Sequence, residues 1–394
     1  MKTGAPIKQF FSWAKTGLEY VFNSALQLLA LSGLMNSGKG GERQRVLLSR
    51  CDSIGDLILF TAALPSYRAL FSDAELILVV GADAAPLVSD CPWVDEIWVL
   101  DKSRFRKSIK ERWRWFDRLQ GGGFDIAVNA IYSRSFDQFD CIAGWTGAPR
   151  RIAHRCLDRY KPRNASGLFY NELAPATAEW KPETERNADL LGYLGWRETG
   201  PDASQIWTSD EDRSASRRLR ADRSPYGVVA PGGGFPEKRW SPELFAETIS
   251  QISRHRTLHW YVTGTETEGQ LCATVTRILR ERLVETTDLS GLTTLGAFAD
   301  LIEHSELVLG NDSSAIHIAR ALDVPAVFVL GGGHYGRFFS GQPEKSIVPV
   351  IHQLPCFQCY WQCILPEHEC ITRVSPDEMV EAVLGLPKFR RELT

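Results

Sequence analysis

Short apolar runs rich in branched residues recur along this chain, each followed by a loop carrying Gly, Asp or Ser and then by a stretch with helical spacing, and the series occurs twice. The first series opens with the apolar run 46–48, passes through Ser49-Arg50-Cys51-Asp52-Ser53-Ile54-Gly55-Asp56, and enters a helix-like run through Leu57, Leu59 and Leu64. Strand candidates over 75–80, 96–100 and 124–131 follow, with a short helix over 84–88. The second series begins at 226–230 and continues through 258–262, 307–309 and 324–330. Strands alternating with helices at this spacing predict parallel sheets covered on both faces. Two series in 394 residues, more than one hydrophobic core usually serves, predict two α/β domains. Ligands of such sheets gather at the strand ends, in a crevice between the halves. The expected division is an N-terminal helix and linker over 1–43, a first domain over 44–208, a charge-dense linker over 209–223, and a second domain over 224–394. Between 150 and 200 the pattern weakens into loops and one helix over 183–194.

No charged residue occurs between Glu19 and Lys39, and Phe11, Ala14, Leu18, Val21, Phe22, Ala25, Leu28 and Leu29 recur at helical spacing, interrupted by Asn23, Ser24 and Gln27. The stretch is borderline for the roughly 20 apolar residues a membrane span needs. It predicts a helix with one apolar face that packs on the body or lies on a membrane surface, followed by a flexible link over 38–41. A net charge of -3 gives no overall attraction to nucleic acid, so electrostatic steering must be local. Between 103 and 119 seven basic residues stand against two acidic ones. Phe105, Ile109, Trp113 and Phe116 are expected on one face of a helix there, with Arg106, Lys110 and Arg114 in a row on another. That row is either a solvated face or an arm that attracts an anionic acceptor, with Arg134 presented at the end of the strand over 124–131.

Asp56 falls at the start of a helix, where exposed amides and the helix dipole favour an ionised carboxylate. It is therefore either a general base at the strand ends or simply the helix cap. In the second half, the glycines 232–234 let backbone approach a phosphate closely, and Lys238 adds a mobile ammonium that offsets charge on a departing diphosphate. The simpler account of that loop is a tight turn. Asp312 and Ser313 open another helix, and His317 lies about one turn into it, so hydroxyl, amides and imidazole converge on one place. Glu266, in the loop after 258–262, is a candidate for ribose hydroxyls or an ordinary exposed loop residue.

The Asp-x-x-Gly-Asp pattern of Asp52–Asp56, the Lys-x-Trp of Lys238–Trp240 and the Asn-Asp-Ser-Ser-x-x-His of Asn311–His317, in this order, resemble glycosyltransferase family 9, the ADP-heptose:lipopolysaccharide heptosyltransferases and their relatives. The resemblance covers roughly residues 45–384. It implies a GT-B type α/β fold, two Rossmann-like domains facing a central crevice, and inverting transfer from a nucleotide sugar. By this analogy Asp56 is the base, while Gly233, Gly234, Lys238, Asp312, Ser313 and His317 hold the donor. Ser314 stands where the family has Gly, which would crowd the backbone against the donor. The implied reaction moves heptose, or a related sugar, from a donor such as ADP-heptose to an anionic lipopolysaccharide-core glycolipid, in the cytoplasm and peripherally on the inner membrane. It uses no catalytic cofactor or metal. Another donor, a protein or other glycan acceptor, or a non-catalytic sugar-nucleotide binder are the alternatives.

Nine cysteines are too few for a disulfide framework. Four of them, Cys356, Cys359, Cys363 and Cys370, are clustered, enough ligands for a structural zinc or iron, with reduced thiols or disulfides as the alternatives.

Overall fold

The computed structural model describes residues 21–30, 42–134, 139–155, 169–175, 180–198, 203–220 and 225–390. The chain forms two compact units. The first comprises the chain up to Ala85, Pro92–Glu179 and Thr184–Asp202; the second comprises Pro86–Cys91, Trp180–Glu183 and everything from Ala203.

Six strands build the first sheet: β1 (Arg45–Arg50), β2 (Glu75–Gly81), β3 (Glu96–Leu100), β4 (Ile126–Asn129), β5 (Arg150–His154) and β6 (Glu172–Ala174). Six more build the second: β7 (Tyr226–Ala230), β8 (His259–Val262), β9 (Thr286–Asp288), β10 (Leu307–Asn311), β11 (Ala326–Val329) and β12 (Ile347–Val350). All pairings within both sheets are parallel, in the orders β3-β2-β1-β4-β5-β6 and β12-β11-β10-β7-β8-β9. The two orders are the same when each sheet is numbered from its own first strand. Each is the doubly wound arrangement, which reverses direction beside its first strand and leaves room for a ligand at that point. The apolar runs of β1, β2, β4, β7, β10 and β11 are buried because helices cover both faces.

Four strands lie outside the sequence expectation: β5, β6, β9 and β12. Three of them are edges or abut an edge with charged or polar residues, and β12 carries Pro349, which an edge strand tolerates because it need not donate a ladder hydrogen bond there.

Among the helices, α1 spans 21–30, α2 Ile54–Thr61, α3 Ile109–Gln120, α4 Asp210–Arg220, α5 Pro242–Ile252 and α6 Ser314–Ala321. Helix α4 replaces the expected linker. Its first turn holds Asp210, Glu211 and Asp212 and its last turn Arg217, Arg218 and Arg220, so the charge density is ordered to suit the helix dipole. Arg220 pairs with Asp300 at 3.3 Å and Thr294 donates to Asp212 at 2.5 Å, which ties α4 into the second unit.

The basic segment also differs from expectation. Ser108 is extended and caps α3 through Glu111 N–H, so Lys102–Lys107 forms a separate short helix. Arg112, Trp115, Phe116 and Leu119 are buried, while Ile109 and Trp113 are exposed. In α1, Leu26 and Ala30 enter the core together with Asn23 and Gln27, and Val21, Ala25 and Leu28 face out. The expected Phe11, Ala14 and Leu18, and the link over 38–41, lie outside the described residues. Among the described residues no helix is long and apolar enough to cross a membrane.

Candidate functional site

In the first unit the loop after β1 opens α2, beside the point where the sheet reverses. Ser53 is the cap: extended at φ -106°, its hydroxyl accepts the Asp56 N–H at 3.3 Å and donates to Asp56 Oδ2 at 2.6 Å. Asp56 is thus not the cap residue, and its buried carboxylate is held by other groups. The guanidinium of Arg50, fully buried at the end of β1, reaches Asp56 Oδ1 at 3.0 Å and Asp52 Oδ1 at 3.0 Å, and donates to Ala130 O beyond β4 at 2.5 Å. Arg50 therefore spans the two loops flanking the switch point and fixes the orientation of Asp56. It went unnoticed in the sequence. An Arg ending an otherwise apolar strand needs buried anions, and Asp52 and Asp56 were the nearest. Lys102 joins from the end of β3, donating to Asp52 O at 2.7 Å and pairing with Asp83 at 2.7 Å.

The acceptor candidates lie apart in character. Arg106, Lys110 and Arg114 are exposed, whereas Arg134 is buried: it donates to His154 O at 2.7 Å, sits 3.6 Å from Asp140 and stacks over Tyr170. Arg134 braces the interior of the first unit.

In the second unit, the loops after β7 and β10 flank the switch point, and this topology brings Lys238 to Asp312. Lys238 Nζ lies 2.9 Å from Asp312 Oδ2 and 5.4 Å from the ring centroid of Trp361, with both partners of the ion pair buried. The ammonium is pinned, not mobile as the sequence suggested. Burial works against ionising Asp312, but the charges of Lys238 first and His317 next outweigh it, so the carboxyl lies below its ordinary value of 3.8. A depressed carboxyl stabilises the fold above its unfolded pKa and loses that contribution as pH falls through the folded one. Asp312→Asn should therefore unfold at a lower temperature than wild type near neutrality. The gap should close below about pH 4 in thermal melts run as a pH series.

Asn311 locks the two loops together: its carbonyl accepts Trp240 N–H at 3.0 Å and its amide donates to Pro231 O and Gly232 O at 2.9 Å. Ser313 occupies the position before α6 in an extended conformation without a side-chain capping hydrogen bond, and His317, one turn in, packs its ring on Phe339 at 4.7 Å. Ser314 is simply the first residue of α6 and needs no positive φ, so glycine is not conformationally required there.

Glu266 is exposed on a short 3-10 turn. The carboxylate that enters the site is Glu268, two residues on. It accepts Gly233 N–H at 2.9 Å and Thr265 N–H at 2.9 Å, completing a capping box and bridging the loops after β7 and β8. Spacing alone could not separate the two glutamates, because the tight turn decides which one points inward. The Gly233 amide is engaged with Glu268 in this structure, while Gly234 has open space around it. The demanding glycine is Gly232, where a Cβ would lie 2.0 Å from Glu268 Oε1. Gly232→Ala should lower donor affinity and cost about 1–3 kcal/mol of stability, and Gly234→Ala should leave stability within about 0.5 kcal/mol of wild type, both read by denaturant titration and calorimetric binding.

The cysteine segment folds over the glycines after β11. Gln358 N–H donates to Gly332 O at 2.7 Å and Tyr360 N–H to Gly333 O at 2.9 Å, and a Cβ on Gly333 would lie 2.2 Å from the Trp361 ring. Cys356, Cys359, Cys363 and Cys370 form no disulfides. No three of their sulfurs lie within 4.8 Å of one another in this structure, yet the four thiols are near enough to act on one another's charge, Cys370 feeling Cys359, Cys356 and Cys363. Burial raises the thiol pKa of Cys359 and Cys370, which favours the protonated form.

Solved structures share this architecture. That of E. coli ADP-heptose lps heptosyltransferase II matches with a TM-score of 0.67 at 18% identity, covering 89% of this chain and 100% of that one. E. coli heptosyltransferase WaaC with ADP-2-deoxy-2-fluoro heptose matches with a TM-score of 0.60 at 17% identity, again covering 89% and 100%. The chain is thus a two-domain protein of the GT-B type. In sequence it is 23% identical over 316 residues to lipopolysaccharide heptosyltransferase 3 of Escherichia coli (strain K12), covering 76% of this chain and 88% of that protein. The profile described as "Glycosyltransferase family 9 (heptosyltransferase)" matches residues 141–363, more than half of the 394. The chain belongs to glycosyltransferase family 9.

Proposed function

We propose that this glycosyltransferase moves a heptose from ADP-heptose to an anionic lipopolysaccharide-core acceptor, with inversion at the anomeric carbon. The observation that carries the reading is the buried Lys238–Asp312 pair at the switch point of the second sheet, beside the glycine loop after β7. The WaaC structure with an ADP-heptose analogue supports an ADP-linked donor by fold likeness. The acceptor hydroxyl attacks the anomeric carbon opposite the diphosphate, forming the new glycosidic C–O bond as the sugar–phosphate C–O bond breaks. Asp56 takes the hydroxyl proton, and ADP leaves with the bonding electron pair. Lys238 meets the charge growing on the departing diphosphate, a task otherwise given to a divalent ion. Asp312 orients that ammonium, and Ser313 and His317 supply hydroxyl and imidazole for the donor. Arg106, Lys110 and Arg114 draw in the phosphorylated acceptor from the cytoplasmic side.

The test is incubation of the purified chain with ADP-heptose and a heptose-deficient core glycolipid in chelator, following ADP release and acceptor mass. Release of ADP with one heptose added per acceptor is expected. Consumption of a different nucleotide sugar, with ADP-heptose left intact, overturns the donor assignment.

A further inference from the structure

Two helices of the first unit each leave part of their expected apolar face in solvent, and they touch. Helix α1 buries Asn23 and Gln27 and leaves Val21 65% and Leu28 68% exposed on the reverse side, with Ala25 between them. Helix α3 buries Arg112 and leaves Ile109 68% and Trp113 45% exposed. The cause is local: Arg112 Nη1 donates to Asn23 Oδ1 at 3.2 Å and Trp145 Nε1 to Asn23 O at 3.3 Å. Leu26, Ala30, Trp115, Phe116 and Leu119 still pack into the core beside these polar groups, and a second set of apolar side chains, Val21, Leu28, Ile109 and Trp113, is turned to solvent. Of the ten large hydrophobic residues exposed in the described chain, these two helices hold four, an unusual share for 22 residues.

The charge beside them is positive. Lys110 and Arg114 each follow an exposed apolar residue of α3 by one position, and Arg104, Arg106 and Lys107 precede the helix, all exposed. From 103 to 119 the formal charge is seven basic minus two acidic, or +5, in a chain whose total is -3. Arg114 pairs with Glu111 at 3.2 Å, but at an exposed site such a pair is weak and yields readily.

We propose that this face of α1 and α3 docks on an anionic phospholipid bilayer. Val21, Leu28, Ile109 and Trp113 enter the boundary between headgroups and acyl chains, and the basic residues meet lipid phosphates. Tryptophan with adjacent Lys and Arg on a short helix suits that boundary: the indole tolerates both media, and long cationic side chains reach outward to the phosphates. A second copy of the chain fits less well, since a two-fold contact through this patch would place the basic row against itself.

Flotation of the full chain with vesicles tests this without donor or acceptor. Binding is expected to phosphatidylcholine vesicles containing phosphatidylglycerol, with weak binding to phosphatidylcholine alone and release by high salt. Ile109→Ser/Trp113→Ser and Val21→Ser/Leu28→Ser should each lower the partition coefficient about tenfold or more, with an unchanged melting temperature. Lys110→Glu/Arg114→Glu, both exposed, should remove the preference for anionic lipid and serves if a serine pair fails to fold. Wild-type protein that stays unbound with anionic vesicles overturns the proposal. So do serine pairs that float like wild type, or serine pairs that alter oligomeric mass without altering flotation.

Discussion

Asp56→Asn should lower the turnover number by about 10²- to 10⁴-fold while leaving donor affinity unchanged, because it removes the base and leaves every proposed donor-binding residue in place. Asparagine keeps the size of the side chain and still accepts from Ser53, so the capped start of α2 survives. Arg50 loses one anionic partner but keeps Asp52 at 3.0 Å, so the stability cost should be about 1–3 kcal/mol and not an unfolding. The measurement pairs steady-state ADP release with calorimetric donor binding. Wild-type turnover in this variant would end the assignment of Asp56 as base. A loss of donor affinity equal to the loss of turnover would place its role in binding.

That prediction depends on Arg50, which shows where sequence reading reaches and where it stops. The central strands of both sheets were legible because strands buried on two faces must be continuous apolar runs. Edge strands carry no such demand, so β6, with Glu172 at its start, falls in a stretch that reads as loops, and β12, with Pro349 inside, gives no strand signal. Helix existence was legible for α3, but not all of its inward side: Phe116 is buried as expected, while Arg112, hydrogen-bonded to Asn23 some ninety residues away, is buried and Ile109 and Trp113 stay exposed. Charge density makes 209–223 read as a linker, although the order of the charges over Asp210–Arg220, acidic first and basic last, suits a helix dipole. Within the site, residues set by motif spacing fell where the motifs put them: Asp56 near the start of α2, Lys238 and Asp312 at the loops of one switch point. Residues set by tertiary contact did not. It is Glu268 and not Glu266 that bonds Gly233, and Arg134 is buried against His154, each because of a neighbour distant in sequence or a turn whose geometry spacing does not encode.

Lys238→Met carries the second large effect, and it divides into two parts that a double substitution separates. Removing the ammonium deprives the departing diphosphate of its cation, which should cost about 10²- to 10³-fold in turnover. It also strands the Asp312 carboxylate, buried and now without its principal counter-charge, so the second unit should lose about 3–5 kcal/mol. Neutralising both partners in Lys238→Met/Asp312→Asn removes the stranded charge. Stability should then recover by about 1–3 kcal/mol relative to Lys238→Met, a positive coupling of the kind neighbouring residues show. Turnover should not recover, since no cation has been restored. Urea unfolding of the wild type, both single variants and the double variant, with ADP release measured on each, distinguishes the roles. If activity returned together with stability, Lys238 would be a fold-stabilising partner of Asp312, and the charge on the leaving diphosphate would have to be met elsewhere.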